Sequence, residues 1–225
     1  MGTILRITLI NPPYRCIPNE PRHATPPLGL AYLAASLRKA GHEVDILDAV
    51  VSGYTTEWLD SDGQRFYGLP VSAVAEAVAS RRPELVGLSL PFAIVENVVG
   101  ALAIAIKDHL GDVPIVVGGA QASAAPERIS RMAGIDYVIA GDGERALVSL
   151  AAQISARHQP QPQPGLWWHD EQGVHGLPPQ WHADLDMLPQ PALDLIDVEA
   201  YYALDCMHGE VAAGLRSLPI ATSRG

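Results

Sequence analysis

Cysteine is nearly absent from this 225-residue chain. The two present, Cys16 and Cys206, lie far apart and form no CxxC pair, so neither a disulfide framework nor a zinc site is indicated, and a reducing cytoplasm suits the composition. Cations are scarce too. Fifteen Lys and Arg stand against 25 Asp and Glu, for a net charge of -10. Nucleic acids and anionic membranes need clustered Lys and Arg, which this chain does not show, so its expected partners are small molecules or protein. Long apolar runs are also missing. The opening MGTILRITLINPP carries a short apolar run broken by Arg6, too short for a signal peptide or a membrane span, and its β-branched pattern reads as a buried strand rather than a lipidated tail. No repeat or heptad is present. GKS, GKT and GxSxG are absent, which excludes a P-loop and removes the nucleophile-elbow signal. A response regulator needs acids clustered after the first strand, and Glu20 is the first one available. Of the histidines, His42 sits in a turn, His109 near a helix end, and His158, His169, His175, His182 and His208 beyond the helical region. None belongs to a DxHxxG pattern.

What is present is a hydrophobic fraction of 48%, enough for a sizeable core. Strands are expected at Ile4 to Ile10, over EVDILD, from Leu85 to Leu90, over PIVVGG and over IDYVIAG. Helices are expected from Leu28 to a stop at Gly41, from Val71 to Ser80, from Ile94 to Leu110, over APERISRMA and over GERALVSLAAQISAR. The stretches NPPYRCIPNEPRHATPP and SGYTTEWLDSDGQRFYGLP read as loops. Strand and helix alternate five times, which predicts an α/β fold: a five-stranded parallel, doubly wound sheet of flavodoxin-like, Rossmann-like order. After Arg157 the texture changes to a proline-rich linker, HQPQPQPG. A hairpin with its turn at Asp170 to Gly173 follows, then a connector punctuated by prolines in which Asp184 and Asp186 read as capping or solvated acids. The expected division is 1–157, 158–217, and the start of another unit at 218–225, where SLPIATSRG rises like a strand.

Ligands of open α/β sheets bind outside the carboxyl ends of the strands. The five loops expected there are NPPY, DAVVSG, PFA, GGAQAS and GDGE. Gly118 and Gly119 either admit a bulky ligand to the backbone or make a tight turn. The GDGE stretch opens a helix whose first amides can meet an anion. Its GxGxxA likeness is weakened by its position after the last strand instead of the first, where Pro12 and Pro13 offer no N–H.

The ordered set NPPY, PPLGLAYLAASLRKAGHEVDILD, PELVGLSL, VPIVVGGAQAS and DYVIAGDGE, with PGLWW and LDMLPQPALDLID after it, resembles the N-terminal half of cobalamin-dependent radical SAM enzymes across the whole chain. The resemblance implies a cobalamin-binding domain joined in the same polypeptide to a radical SAM barrel. That barrel would carry a 4Fe-4S cluster and S-adenosylmethionine on a CxxxCxxC loop expected just after TSRG. It implies methyl transfer from S-adenosylmethionine through cobalt to an unactivated atom of a small-molecule or peptide substrate, although some relatives close or contract rings instead. The implied cobalamin contacts are Pro13 and Tyr14; Arg65 and Tyr67; Ser89, Pro91 and Phe92; Gly118, Gly119, Ala120, Gln121 and Ala122; and Gly141, Gly143 and Glu144. Small residues at 118–120 and 122 would open a slot for the nucleotide tail, and Ser89 would hydrogen-bond it. With no DxHxxG, no histidine ligand to cobalt is expected. Arg65 is the first choice to cover the lower face, ahead of Tyr14 and Tyr67. Two alternatives stay open: a free-standing corrinoid carrier, and a dinucleotide-binding or other nucleotide-binding half of another enzyme.

Overall fold

Residues 3–181, 184–204, 216 and 218–220 are described by the computed structural model. In chain order the elements are β1 (Arg6–Asn11), β2 (Tyr14–Arg15), α1 (Leu28–Lys39), β3 (Glu43–Asp48), α2 (Ala49–Ser52), β4 (Glu57–Leu59) and β5 (Arg65–Tyr67). Next come α3 (Val71–Arg81), β6 (Leu85–Ser89), α4 (Glu96–Leu110), β7 (Ile115–Gly118), α5 (Ala120–Ala124), α6 (Pro126–Ile129), β8 (Tyr137–Ile139) and α7 (Gly143–Ser155). The hairpin β9 (Leu166–Asp170) and β10 (Gly173–Gly176) and the helix α8 (Val198–Leu204) complete the set.

Five strands pair in parallel in the order β3-β1-β6-β7-β8, the flavodoxin-like order expected for alternating strands and helices. Because helices cover both faces, the strands are apolar without alternation, and β1 is buried at every position after Arg6. One face packs on α3 and α4 through Val74, Val78, Leu102 and Ile106. The other packs on α1 and α7 through Leu37, Leu147 and Leu150. Helix α1 stops as expected, with Gly41 in the left-handed region at φ 94°.

Three features differ from the sequence reading. The hairpin is not separate from the sheet: β9 pairs antiparallel with β8, extending the sheet to seven strands and burying Leu166 and Trp168 against the α1 and α7 side. Pairing of this kind covers the β8 edge. Both segments read as loops carry short strands, β2, β4 and β5, which form a second antiparallel sheet in which Trp58 stacks on Phe66 at 4.9 Å. Strands of two or three residues are too short to show a period. The connector also folds back. Ala192 donates its N–H to the Ala31 carbonyl at 3.0 Å, and Tyr201 of α8 is fully buried beside Ala31 and Val50. Of the expected strand at 218–225, residues 218–220 have no regular structure and the rest lie outside the described residues.

Candidate functional site

At the carboxyl ends of β1, β6, β7 and β8 the sheet and the helices α1 and α7 separate, leaving a cavity of about 360 Å³. The sheet contributes Leu9, Gly87, Ser89, Val116, Gly118 and Ile139. The start of α1 contributes Leu28 to Leu30, Tyr32 and Leu33, and the β8–α7 turn contributes Gly141 to Glu144 and Leu147. Most of this lining is apolar, with a few polar groups at one end, the usual make-up of a small-molecule site.

Glycine keeps the floor low. A Cβ built on Gly87 would stand 2.6 Å from Leu9 Cδ2, within the layer that lines the cavity. One built on Gly118 meets only the Ile139 carbonyl oxygen, at 3.6 Å, so a longer side chain there would extend into the open space. Gly119 has a different reason. Its φ is 117°, and a Cβ would lie 2.7 Å from the Leu90 carbonyl oxygen, so this position is glycine because of the turn itself. Gly143 lets α7 approach α1, since a Cβ there would come within 3.1 Å of Leu33 Cδ2.

Ser123, not anticipated from sequence, ties the two glycine loops together. Its hydroxyl donates to the Gly119 carbonyl at 2.9 Å and accepts the Gly141 N–H at 2.9 Å. The Gly141 amide is therefore already used, and the anion-facing amides expected at GDGE are limited to those of the α7 N-terminus, where the Asp142 side chain forms no cap.

Six of the sequence-predicted residues meet at the cavity: Ser89, Gly118, Gly119, Gly141, Gly143 and Glu144. Ala120, Gln121 and Ala122 do not line it. Helix α5 starts immediately after Gly119 and turns them away, so that Ala122 is buried in the core of the opposite face and Gln121 donates to Glu96 at 3.2 Å. Of the four small residues expected to open a slot, Gly118 and Gly119 line the cavity, joined there by Gly87, while Ala120 and Ala122 do not. Tyr14, Tyr67 and Phe92 form an aromatic group outside the cavity, with Tyr14 edge-on to both others at 6.2 Å. Pro13, next to Tyr14 in the chain, packs close to Gly68, and Pro91 precedes Phe92 after β6. Burial, with smaller additions from Asp48 and Tyr67, pushes the Tyr14 phenol well above its ordinary value, so it stays protonated. Arg65 lies apart from the cavity, ion-paired to Glu57 at 3.1 Å with its side chain 63% exposed. Gly87 and Ser123 were legible in principle, one on the Ser89 face of β6 and the other one turn beyond Gly119. The apolar liners look like any other core residues.

At the neighbouring strand ends, Asp48 accepts hydrogen bonds from Asn11 Nδ2 at 3.0 Å, from the Val50 and Val51 amides, and from the Tyr201 hydroxyl. Burial raises its carboxyl above the usual range, while these donors pull it back.

Comparison with known proteins places this geometry. The family model of the B12 binding domain matches residues 14–151, more than half of the chain. Cytidylyl-2-hydroxyethylphosphonate methyltransferase of Streptomyces wedmorensis is 25% identical over 98% of this chain and 46% of its own length. The anaerobic magnesium-protoporphyrin IX monomethyl ester cyclase of Synechocystis sp. is 26% identical over 88% of this chain and 37% of its own length. The chain thus spans less than half of these curated relatives. Among solved structures, the radical S-adenosylmethionine methyltransferase TsrM from Kitasatospora setae, with cobalamin and a 4Fe-4S cluster bound, is 25% identical with a TM-score of 0.62, covering 84% of this chain and 31% of that one. The cobalamin-dependent radical enzyme OxsB shares the fold, at a TM-score of 0.67 and 20% identity over 88% of this chain and 25% of that one.

Proposed function

The chain belongs to the B12-binding domain family, and from that premise we propose that it is the cobalamin-binding part of a radical S-adenosylmethionine enzyme that moves a methyl group to an unactivated substrate atom. The observation that carries the reading is the apolar cavity at the strand ends, floored by Gly87 and Gly118, which on this reading would receive the nucleotide tail. The names of the methyltransferase relatives support the reaction class. On this reading a radical SAM barrel belongs to the same polypeptide, the working compartment is the cytoplasm, and the substrate is a small molecule or peptide.

The residues divide the work. Leu9, Leu33, Val116, Ile139 and Leu147 exclude water from the tail, at about 25 cal/mol per Å² of apolar surface buried. Ser89 and Glu144 supply polar contacts, and the first amides of α7, beside the Asp142 and Glu144 carboxylates, would donate to neutral acceptor oxygens of the tail. Tyr14 and Phe92, beside the ends of β1 and β6, would offer the corrinoid an aromatic surface, with Tyr14 a neutral phenol that offers no anionic oxygen. Behind them Tyr67 packs in the core as their support, and Arg65, on the next strand position but one, would lie at the exposed edge of that group. When bound, the corrinoid supplies a cobalt centre able to accept and release a methyl group.

Hydroxocobalamin added to the 225-residue chain should bind stoichiometrically. Paramagnetic resonance of the cobalt(II) form should show no nitrogen superhyperfine splitting. Absence of binding overturns the reading, and nitrogen splitting overturns the unligated lower face.

A further inference from the structure

The segment after the β9–β10 hairpin returns to the turn that follows β8 and packs beside Gly141, a residue of the cavity lining. Two hydrogen bonds anchor it, from the Gly165 N–H to the Leu177 carbonyl at 3.0 Å and to the Pro178 carbonyl at 3.2 Å. Gly165 is in turn fastened to the end of β8, because its carbonyl accepts the Ala140 N–H at 2.8 Å. Pro178 and Pro179 then set the direction of the chain, each holding its own φ and restricting the residue before it.

That direction brings the segment onto a residue of the cavity wall. A Cβ on Gly141 would lie 2.5 Å from Pro179 Cβ and 3.7 Å from Trp181 Cζ3. Gly141 is at φ 78°, so the proline ring sits where a side chain would otherwise be. The indole of Trp181 rests against the same residue, yet Trp181 remains 55% exposed. A large aromatic left this open beside a cavity-lining residue offers an exposed flat face to a ligand seated there. The indole combines a flat apolar body with one N–H donor, which suits a heteroaromatic base or its ribose.

We propose that residues 177–181 form the outer wall of the tail site and that Trp181 contacts the nucleotide portion of the cobamide. This rests on the reading of the chain as a cobalamin-binding domain and adds to it a specificity residue beyond the matched family region, which ends at residue 151. Aromatic stacking on a base is worth about 1–3 kcal/mol, so loss of the indole should weaken binding by roughly ten-fold.

The test compares two corrinoids by calorimetric titration of the 225-residue chain and of its variants. Hydroxocobalamin carries the nucleotide tail and dicyanocobinamide lacks it. Trp181→Ala should weaken hydroxocobalamin by roughly ten-fold and leave dicyanocobinamide unchanged, while Trp181→Phe should keep most of the affinity. Wild-type binding of hydroxocobalamin with equal affinity in Trp181→Ala overturns the wall and leaves the cobalamin reading intact. Equal weakening of both corrinoids overturns the assignment of Trp181 to the tail. A wild-type chain that binds neither overturns the functional reading and the wall together.

Discussion

Gly118 and Gly119 are neighbours with opposite reasons to be glycine, and substitution separates them. Gly118 has an ordinary backbone conformation and open space ahead of it, so Gly118→Leu should fold with little change in Tm. Its side chain would fill part of the cavity and, on the function proposed above, lower hydroxocobalamin affinity by about ten-fold or more. Gly119 has φ 117° and the Leu90 carbonyl oxygen 2.7 Å from a would-be Cβ, so Gly119→Ala should cost about 1–3 kcal/mol of stability. Calorimetric affinity and thermal unfolding on the same samples distinguish the pair. Leucine at 118 with undiminished affinity would show that the tail does not use this floor. Ser123 belongs to the same scale. Ser123→Ala removes both bonds that join the two glycine loops, costing about 1–2 kcal/mol, and should raise amide exchange at Gly141 specifically.

Between elements, the informative junction is Asp48, where β3, α2, β1 and α8 meet. Its folded-state pKa lies above the ordinary value because burial outweighs the hydrogen bonds it accepts. With this sign, its contribution to stability is complete at low pH and is lost as pH rises from the ordinary carboxylate value through the elevated one. Asp48→Asn keeps an oxygen for Asn11 and the α2 amides and offers an N–H to the Tyr201 oxygen. The difference in unfolding free energy between wild type and Asp48→Asn should therefore shift in favour of the variant as pH rises across that window. Asp48→Ala removes the cap and leaves the Asn11 amide without its acceptor, and should cost about 2–4 kcal/mol at low pH, the cost shrinking across the same window as pH rises. Urea unfolding at several pH values checks both. A wild-type-minus-Asn difference independent of pH would contradict the raised carboxyl.

For the molecule as a whole, the hairpin and connector belong to the packing of the sheet. Leu166 and Trp168 are buried against the α1 and α7 layer, and β9 covers the edge of β8. A chain ending at Arg157 should expose that edge and the apolar patch beneath it, with a lower Tm and concentration-dependent association by light scattering. An equally stable, monomeric 1–157 chain would show that the domain is complete without the hairpin.

Much of this was decided by local chemistry. Five apolar runs, each bounded by an amphipathic stretch, admit a doubly wound parallel sheet, because each apolar strand has to be covered on both faces. The strand-end rule then points to Ser89, Gly118 and the GDGE turn without coordinates. The helix stop at Gly41 and the turn between Asp170 and Gly173 follow from residues that favour positive φ or tight turns. Tertiary structure decided the rest. Whether a small residue opens a cavity or fills a core depends on which face its helix turns, which is why Ala122 is buried on the far side while Gly87 floors the site. Two-residue strands such as β2 exist only because β5 arrives from fifty residues away to pair with them. Trp181 comes to rest beside Gly141 for the same reason: two prolines set its direction, but only the docking of the hairpin on β8 places Gly165, and with it the chain beyond Leu177, against Gly141.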